Sequence, residues 1–107
     1  MPFTIEKSVQ ATRDIEEAFV FIAEGNLDIA VRFLVAVEES LEMIAEHPMI
    51  GSSYRFEHEK LADLRIWRVK GFENYSMVYL PQIEFENIRL MRILNSSRDL
   101  NAIFGKQ

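Results

Sequence analysis

Two apolar stripes at helical spacing, parted by Gly25-Asn26 and halted by Pro48, constrain this chain more than anything else in it. Ala11, Ile15, Ala18, Phe19 and Ile22 recur at the three- and four-residue intervals of one helix face. Arg13, Asp14, Glu17 and Glu24 fall on the opposite, wet side. Ser8 supplies an N-cap oxygen, and Gly25-Asn26 stops the helix through glycine's tolerance of left-handed geometry. Asn26 then caps a second helix, with Asp28 at its positive end. Its stripe is Ala30, Phe33, Leu34, Val37, Leu41 and Ile44, and its wet face Glu38, Glu39, Glu42 and Glu46. Pro48 disfavours helical geometry in His47, so the helix ends there. A two-residue break between such helices predicts an antiparallel hairpin with one large apolar face.

That face needs a sheet, and the second half supplies one. Leu64–Lys70, Tyr75–Leu80 and Phe85–Leu94 read as strands, joined through Gly71-Phe72-Glu73-Asn74 and Pro81-Gln82. The last two are apolar on both sides and belong in the centre of the sheet. Residues 3–6 alternate as a short first strand. Residues 48–63 have no period and read as a loop, with one helical turn near Glu59–Asp63. Ser97–Phe104 is predicted to close the chain as a helix, with residues 105–107 a frayed tail. The expectation is an α+β fold of two layers, β-α-α-β-β-β(-α), in one domain over residues 1–107. An antiparallel-type sheet carries the helical hairpin on one face, and the other face is expected to be open and functional.

Composition removes several chemistries. No cysteine is present, which excludes disulfides, zinc–thiolate sites and thiol catalysis. The longest apolar run, Ala18 to Ala23, is far short of the ~18 residues of a membrane helix. The first residues have neither a basic start nor an apolar signal region, so a cytoplasmic location is expected. Neither phosphate loop, dinucleotide fingerprint nor nucleophile elbow occurs, and no cofactor or metal is expected. His47 and His58 lack a zinc-helix pattern, and Glu57-His58-Glu59 reads as a solvated loop.

The net charge of −5 disfavours direct nucleic-acid binding. The charge is uneven: residues 1–54 hold three basic and ten acidic residues, residues 55–107 nine basic and seven acidic. Arg65, Arg68, Lys70, Arg89, Arg92 and Arg98 carry most of the basic charge. They either share a face as a local positive site or pair with the Glu-rich helices. Trp67, Tyr75 and Tyr79 either stack bases or, as strand spacing favours, pack against the helices.

The order of several short motifs goes further. Ser8 to Ile22 presents a polar cap, Ala11, then Asp14 before an apolar residue. The second helix ends in Pro48-Met49-Ile50-Gly51; Leu64-Arg65 opens one strand, and Tyr75-Ser76-Met77-Val78-Tyr79 forms the next. Ile88-Arg89-Leu90-Met91-Arg92-Ile93-Leu94-Asn95-Ser96-Ser97-Arg98-Asp99 is the most specific piece. In this order and spacing the chain resembles the ParE/RelE toxin superfamily of bacterial type II toxin–antitoxin and plasmid-stabilisation modules. The resemblance implies a strand–helix–helix–three-strand fold and a small cognate antitoxin, ParD-like, held by the helices and sheet. A homodimer or a toxin–antitoxin hetero-oligomer would both fit.

It also implies one of two activities. RelE-like members are ribosome-dependent mRNA endoribonucleases; ParE-like members inhibit DNA gyrase by binding. RNA cleavage needs proton transfer and cations for phosphate charge. Where ribonuclease members place an Arg after the first Tyr of the third strand, this chain has Ser76, and where they end the last strand with His, Arg or Lys it has Asn95. Their C-terminal Tyr corresponds to Ser96 or Leu100. The expectation is therefore a ParE-like gyrase inhibitor without catalytic residues. Arg65, Arg68, Arg89, Arg92 and Arg98 are the candidates for target or antitoxin contact, with Arg92 and Arg98 foremost. The alternatives are the endoribonuclease and a diverged, non-toxic partner-binding protein.

Overall fold

The computed structural model describes residues 1–53 and 63–95. Their elements are β1 (Thr4–Lys7), α1 (Val9–Gly25), α2 (Leu27–Glu46), β2 (Ser52–Ser53), β3 (Arg65–Val69), β4 (Phe72–Gln82), a 3-10 turn (Ile83–Phe85) and β5 (Asn87–Asn95). The expected Glu59–Asp63 turn falls largely, and the closing helix Ser97–Phe104 and tail 105–107 wholly, outside the described residues.

Local chemistry sets the helix ends. Ser8 accepts a hydrogen bond from the Ala11 N–H at 2.9 Å and starts α1. Asn26 closes α1 with its N–H on the Ile22 carbonyl and opens α2 by accepting from the Ile29 N–H. It does so in extended geometry at φ −165°, and Gly25 stays helical, so no left-handed glycine stop is used.

The five strands lie in the order β1-β5-β4-β3-β2, which puts the doubly apolar β4 and β5 at the centre. β1 pairs parallel with β5, Thr4 opposite Asn87; all other pairs are antiparallel, so the sheet is mixed. The β3–β4 turn is tighter than expected, with Gly71 at φ 81° and Phe72 already in the strand. Pro81 and Gln82 are strand, not turn; the reversal falls on the 3-10 turn and Glu86. Proline fits there because β3 ends opposite Tyr79, leaving β4 a neighbour on one side only. Ser52–Ser53, expected in a loop, forms a short strand against Ile66 and Arg65.

The helix hairpin covers one sheet face. Phe33 sits at its centre, edge-on to Phe72 at 5.3 Å and tilted against Tyr75 at 5.1 Å. Tyr75, Met77 and Tyr79 point into this core, and Trp67 packs against it. Leu34 does not belong to it: the buried face turns toward Ala36, Ser40 and Ala45, and Leu34 is 36% exposed at its margin. The far face is buried in part, while Arg68 on the same face stays exposed. Leu64, Val78 and Leu94 form a second buried cluster there, edged by Ile66, Leu80 and Met91.

Candidate functional site

β1 stops at Lys7, so β5 beyond Leu90 has lost its strand neighbour on that side. The start of α1 replaces it. The Ser8 N–H donates to the Leu90 carbonyl at 3.0 Å, and its hydroxyl to the Met91 carbonyl at 2.8 Å. Six residues on, Asp14 Oδ2 accepts from the Ile93 N–H at 3.0 Å. The same carboxylate takes Arg92 Nε at 2.8 Å and Nη2 at 3.2 Å. Met91 has no partner in the β4 register, which steps from Val78–Arg92 to Tyr79–Leu90, and this bulge sits beside the pair. Asp14, expected on the wet face, is therefore buried because it satisfies a strand edge and a guanidinium together.

A second knot holds the opposite edge. Tyr79 Oη donates to the Pro48 carbonyl at 2.9 Å and accepts from the Gly51 N–H at 2.9 Å. Arg65 Nη1 donates to the carbonyls of Gly51 at 2.6 Å and Met49 at 3.2 Å. A Cβ on Gly51 would lie 2.8 Å from Tyr79 Oη and 2.9 Å from the Ile66 carbonyl, so only glycine fits. Burial raises the Tyr79 pKa above its usual value; the Gly51 hydrogen bond and the Arg65 charge oppose that rise. The phenol stays a donor.

Beside this knot runs a cleft of about 910 Å³ between α2 and the outer sheet edge. Glu39, Glu42 and Met43 of α2 face Ser52, Trp67 and Arg68 across it, and Lys70 lies at the turn. β2 covers only Arg65 and Ile66, so Trp67 to Val69, paired with β4 on their inner side, have no strand on their outer side among the described residues. Such an edge pairs readily with an added strand.

The arginines singled out from sequence are dispersed. Arg92 pairs with Asp14 and Arg65 holds the Gly51 knot. Arg89 pairs with Glu6 at 2.9 Å. Arg68 stands exposed on the cleft, donating to the Glu73 carbonyl at 3.1 Å. Arg98 lies outside the described residues. Ser76 and Asn95 are brought near each other but on opposite sheet faces: Ser76 aligns with Leu94, Asn95 with Tyr75. Arg92 is half-buried against the Asp14 carboxylate, so reversing its charge would harm the fold. A glutamate there would face Asp14. The exposed apolar flank of α2 is Leu27, Val31, Leu34 and Val35; because it abuts the core stripe, Leu34 reads as core from sequence and the other three do not stand out. Its spacing of four, seven and eight residues was the available signal.

Two helices on a mixed five-stranded sheet, stapled at Asp14–Arg92 and at Gly51–Tyr79, make a small α+β fold. The sequence profile of the family described as "ParE toxin of type II toxin-antitoxin system, parDE" matches residues 5–100, and the chain belongs to that family. Among solved structures it is similar to a chromosomal ParDE toxin–antitoxin system from P. aeruginosa, with a TM-score of 0.66 and 12% identity over 87% of this chain and 95% of that one. It is also similar to the RelBE2 toxin–antitoxin complex from Mycobacterium tuberculosis, with a TM-score of 0.63 and 20% identity over 89% and 99%. At these identities the likeness shows the fold. No curated protein matches the chain. Among the described residues no helix is long and apolar enough to cross a membrane.

Proposed function

We propose that this chain is the toxin of a type II pair, held by a small ParD-like antitoxin, and that it acts in the cytoplasm by binding and inhibiting DNA gyrase. The observation that carries the choice of binding over RNA cleavage is the engagement of the basic groups. Arg65, Arg89 and Arg92 are spent on carbonyls or carboxylates of this chain, and Ser76 and Asn95 occupy opposite faces. A phosphoryl-transfer site needs cations and a proton-transferring group converging on one point.

The antitoxin seat is the α2–β3 cleft. An extended segment can add to the Trp67–Val69 edge, with its basic side chains toward Glu39 and Glu42 and its acidic ones toward Arg68 and Lys70. Of the five arginines proposed for contact, Arg98 lies outside the described residues, and Arg68 reaches a partner directly in this reading. Arg65, Arg89 and Arg92 shape the surfaces that do. The test is induction in bacteria and purified protein in vitro, with gyrase supercoiling and mRNA integrity both followed. Loss of supercoiling with intact mRNA is the expected result. Codon-position-specific cuts on ribosomes would restore the endoribonuclease reading, and unimpaired growth on induction would point to a non-toxic partner-binding protein.

A further inference from the structure

The β4–β5 reversal presents two large apolar side chains to solvent within three residues. Phe85 is 74% exposed and Ile83 54%. The turn that carries them is held from several sides. Glu86 adopts φ 51° and ψ 45°, left-handed geometry that disfavours residues other than glycine. Its N–H donates to the Ile83 carbonyl at 3.1 Å, and its carbonyl accepts from the Thr4 N–H at 3.0 Å. Asn87 closes the base, accepting from Thr4 Oγ1 at 2.9 Å and donating to Gln82 Oε1 at 2.7 Å. Glu84 lies between the two and Glu86 follows them, both exposed, while Glu6 on the adjoining strand is already paired with Arg89.

We propose that Ile83 and Phe85 form the anchor by which the toxin contacts its protein target, inserting into an apolar pocket with a cationic rim. A fixed backbone matters because an aromatic anchor that is already ordered loses little freedom on docking. The acidic collar selects the rim. The antitoxin cleft reaches Lys70 and Glu73, at the other end of the eleven-residue β4. At ~3.3 Å per residue the Glu73 end of the cleft is about 30 Å from the tip along β4, and its near end, at Ser52 and Ile66 opposite Val78, about 15 Å. One partner can therefore occupy the cleft while the tip stays bare, unless the antitoxin chain extends that far.

The inference rests on the gyrase reading, and the experiment separates the two. Supercoiling by purified bacterial DNA gyrase is titrated with the full-length protein, with an Ile83→Ser/Phe85→Ser double variant and with Phe85→Leu. Both side chains lie outside the two buried clusters, so the fold is kept, which circular dichroism checks. The double variant should need at least about tenfold more protein for half-inhibition, and Phe85→Leu less than about threefold more. Equal inhibition by the double variant and the parent overturns the anchor and leaves the gyrase reading standing. No inhibition by the parent overturns the gyrase reading and this contact with it. A variant that inhibits normally but changes elution volume on size exclusion assigns the tip to self-association, which also overturns the proposal.

Discussion

Replacing Asp14 by alanine should be among the most damaging single changes in this chain, although helix patterning places that residue on the wet side. Its carboxylate accepts four hydrogen bonds: from Gln10 Nε2 at 3.0 Å, from two Arg92 nitrogens at 2.8 and 3.2 Å, and from the Ile93 N–H at 3.0 Å. Hydrogen bonds to charged groups contribute about 1.5–3 kcal/mol, and a buried N–H left without its acceptor costs about 1–3 kcal/mol. The Arg92 side chain retains 28% exposure against 6% for Asp14, so water recovers part of its loss. The expected cost of Asp14→Ala is therefore about 3–4 kcal/mol, a large share of the 5–15 kcal/mol typical of a domain. For about 100 residues this lowers Tm by roughly 12–25 °C. Asp14→Asn keeps an oxygen for the Ile93 N–H but turns an amide toward the guanidinium, and should cost about 1–2 kcal/mol. Urea unfolding followed by far-ultraviolet circular dichroism measures both. A cost below about 1 kcal/mol for Asp14→Ala would refute the staple, because Arg92 and the Ile93 N–H would then be finding equal partners elsewhere.

Three further outcomes follow from the same geometry. Gly51→Ala should destabilise by about 1–3 kcal/mol in urea unfolding, since its Cβ meets the Ile66 carbonyl as well as a side chain. Tyr79→Phe should cost about 1–3 kcal/mol by removing the donor to Pro48 and the acceptor for Gly51. Because the folded Tyr79 pKa is raised, its contribution is fully present below the unfolded value of about 10 and is lost as pH rises through the folded one. Stability against pH should therefore fall less steeply above pH ~10 in the variant than in the parent. Leu41→Ala should cost about 2–5 kcal/mol and Leu34→Ala under about 1 kcal/mol, and equal costs would contradict the assigned helix face.

The sequence made the helices legible because caps and stripes are local. Ser8, Asn26 and Pro48 act within four residues of their own positions. The central place of β4 and β5 was legible because strands covered on both faces must be apolar on both. Asp14 was not, since the residue that explains it is 78 positions away and a charge on a helix reads as solvated until its partner is known. Leu34 misled because leucine beside a buried stripe looks like part of it. The far face was expected to be open for want of a helix to cover it, and it is buried at Leu64, Val78 and Leu94 but exposed at Arg68. The family motifs were visible one by one, but not that they meet: Asp14 with Arg92, and Pro48 and Gly51 with Tyr79 and Arg65. For the candidate site, arginine positions conveyed charge without saying where it is neutralised.

The parallel pairing of β1 with β5 also orders events in time. The two helices and the β3–β4–β5 meander close through short connections, and each can form early. β1 must wait, because Thr4 finds Asn87 only across 83 residues, a loop whose closure costs about 4 kcal/mol in chain entropy. A nascent chain therefore leaves the ribosome with its first strand unpaired until its last strand has emerged. Ser8 and Asp14 lie on the same late seam. Damage to that seam should thus accelerate unfolding while leaving the folding rate nearly untouched, so the seam sets the lifetime of the folded chain rather than the speed of its birth.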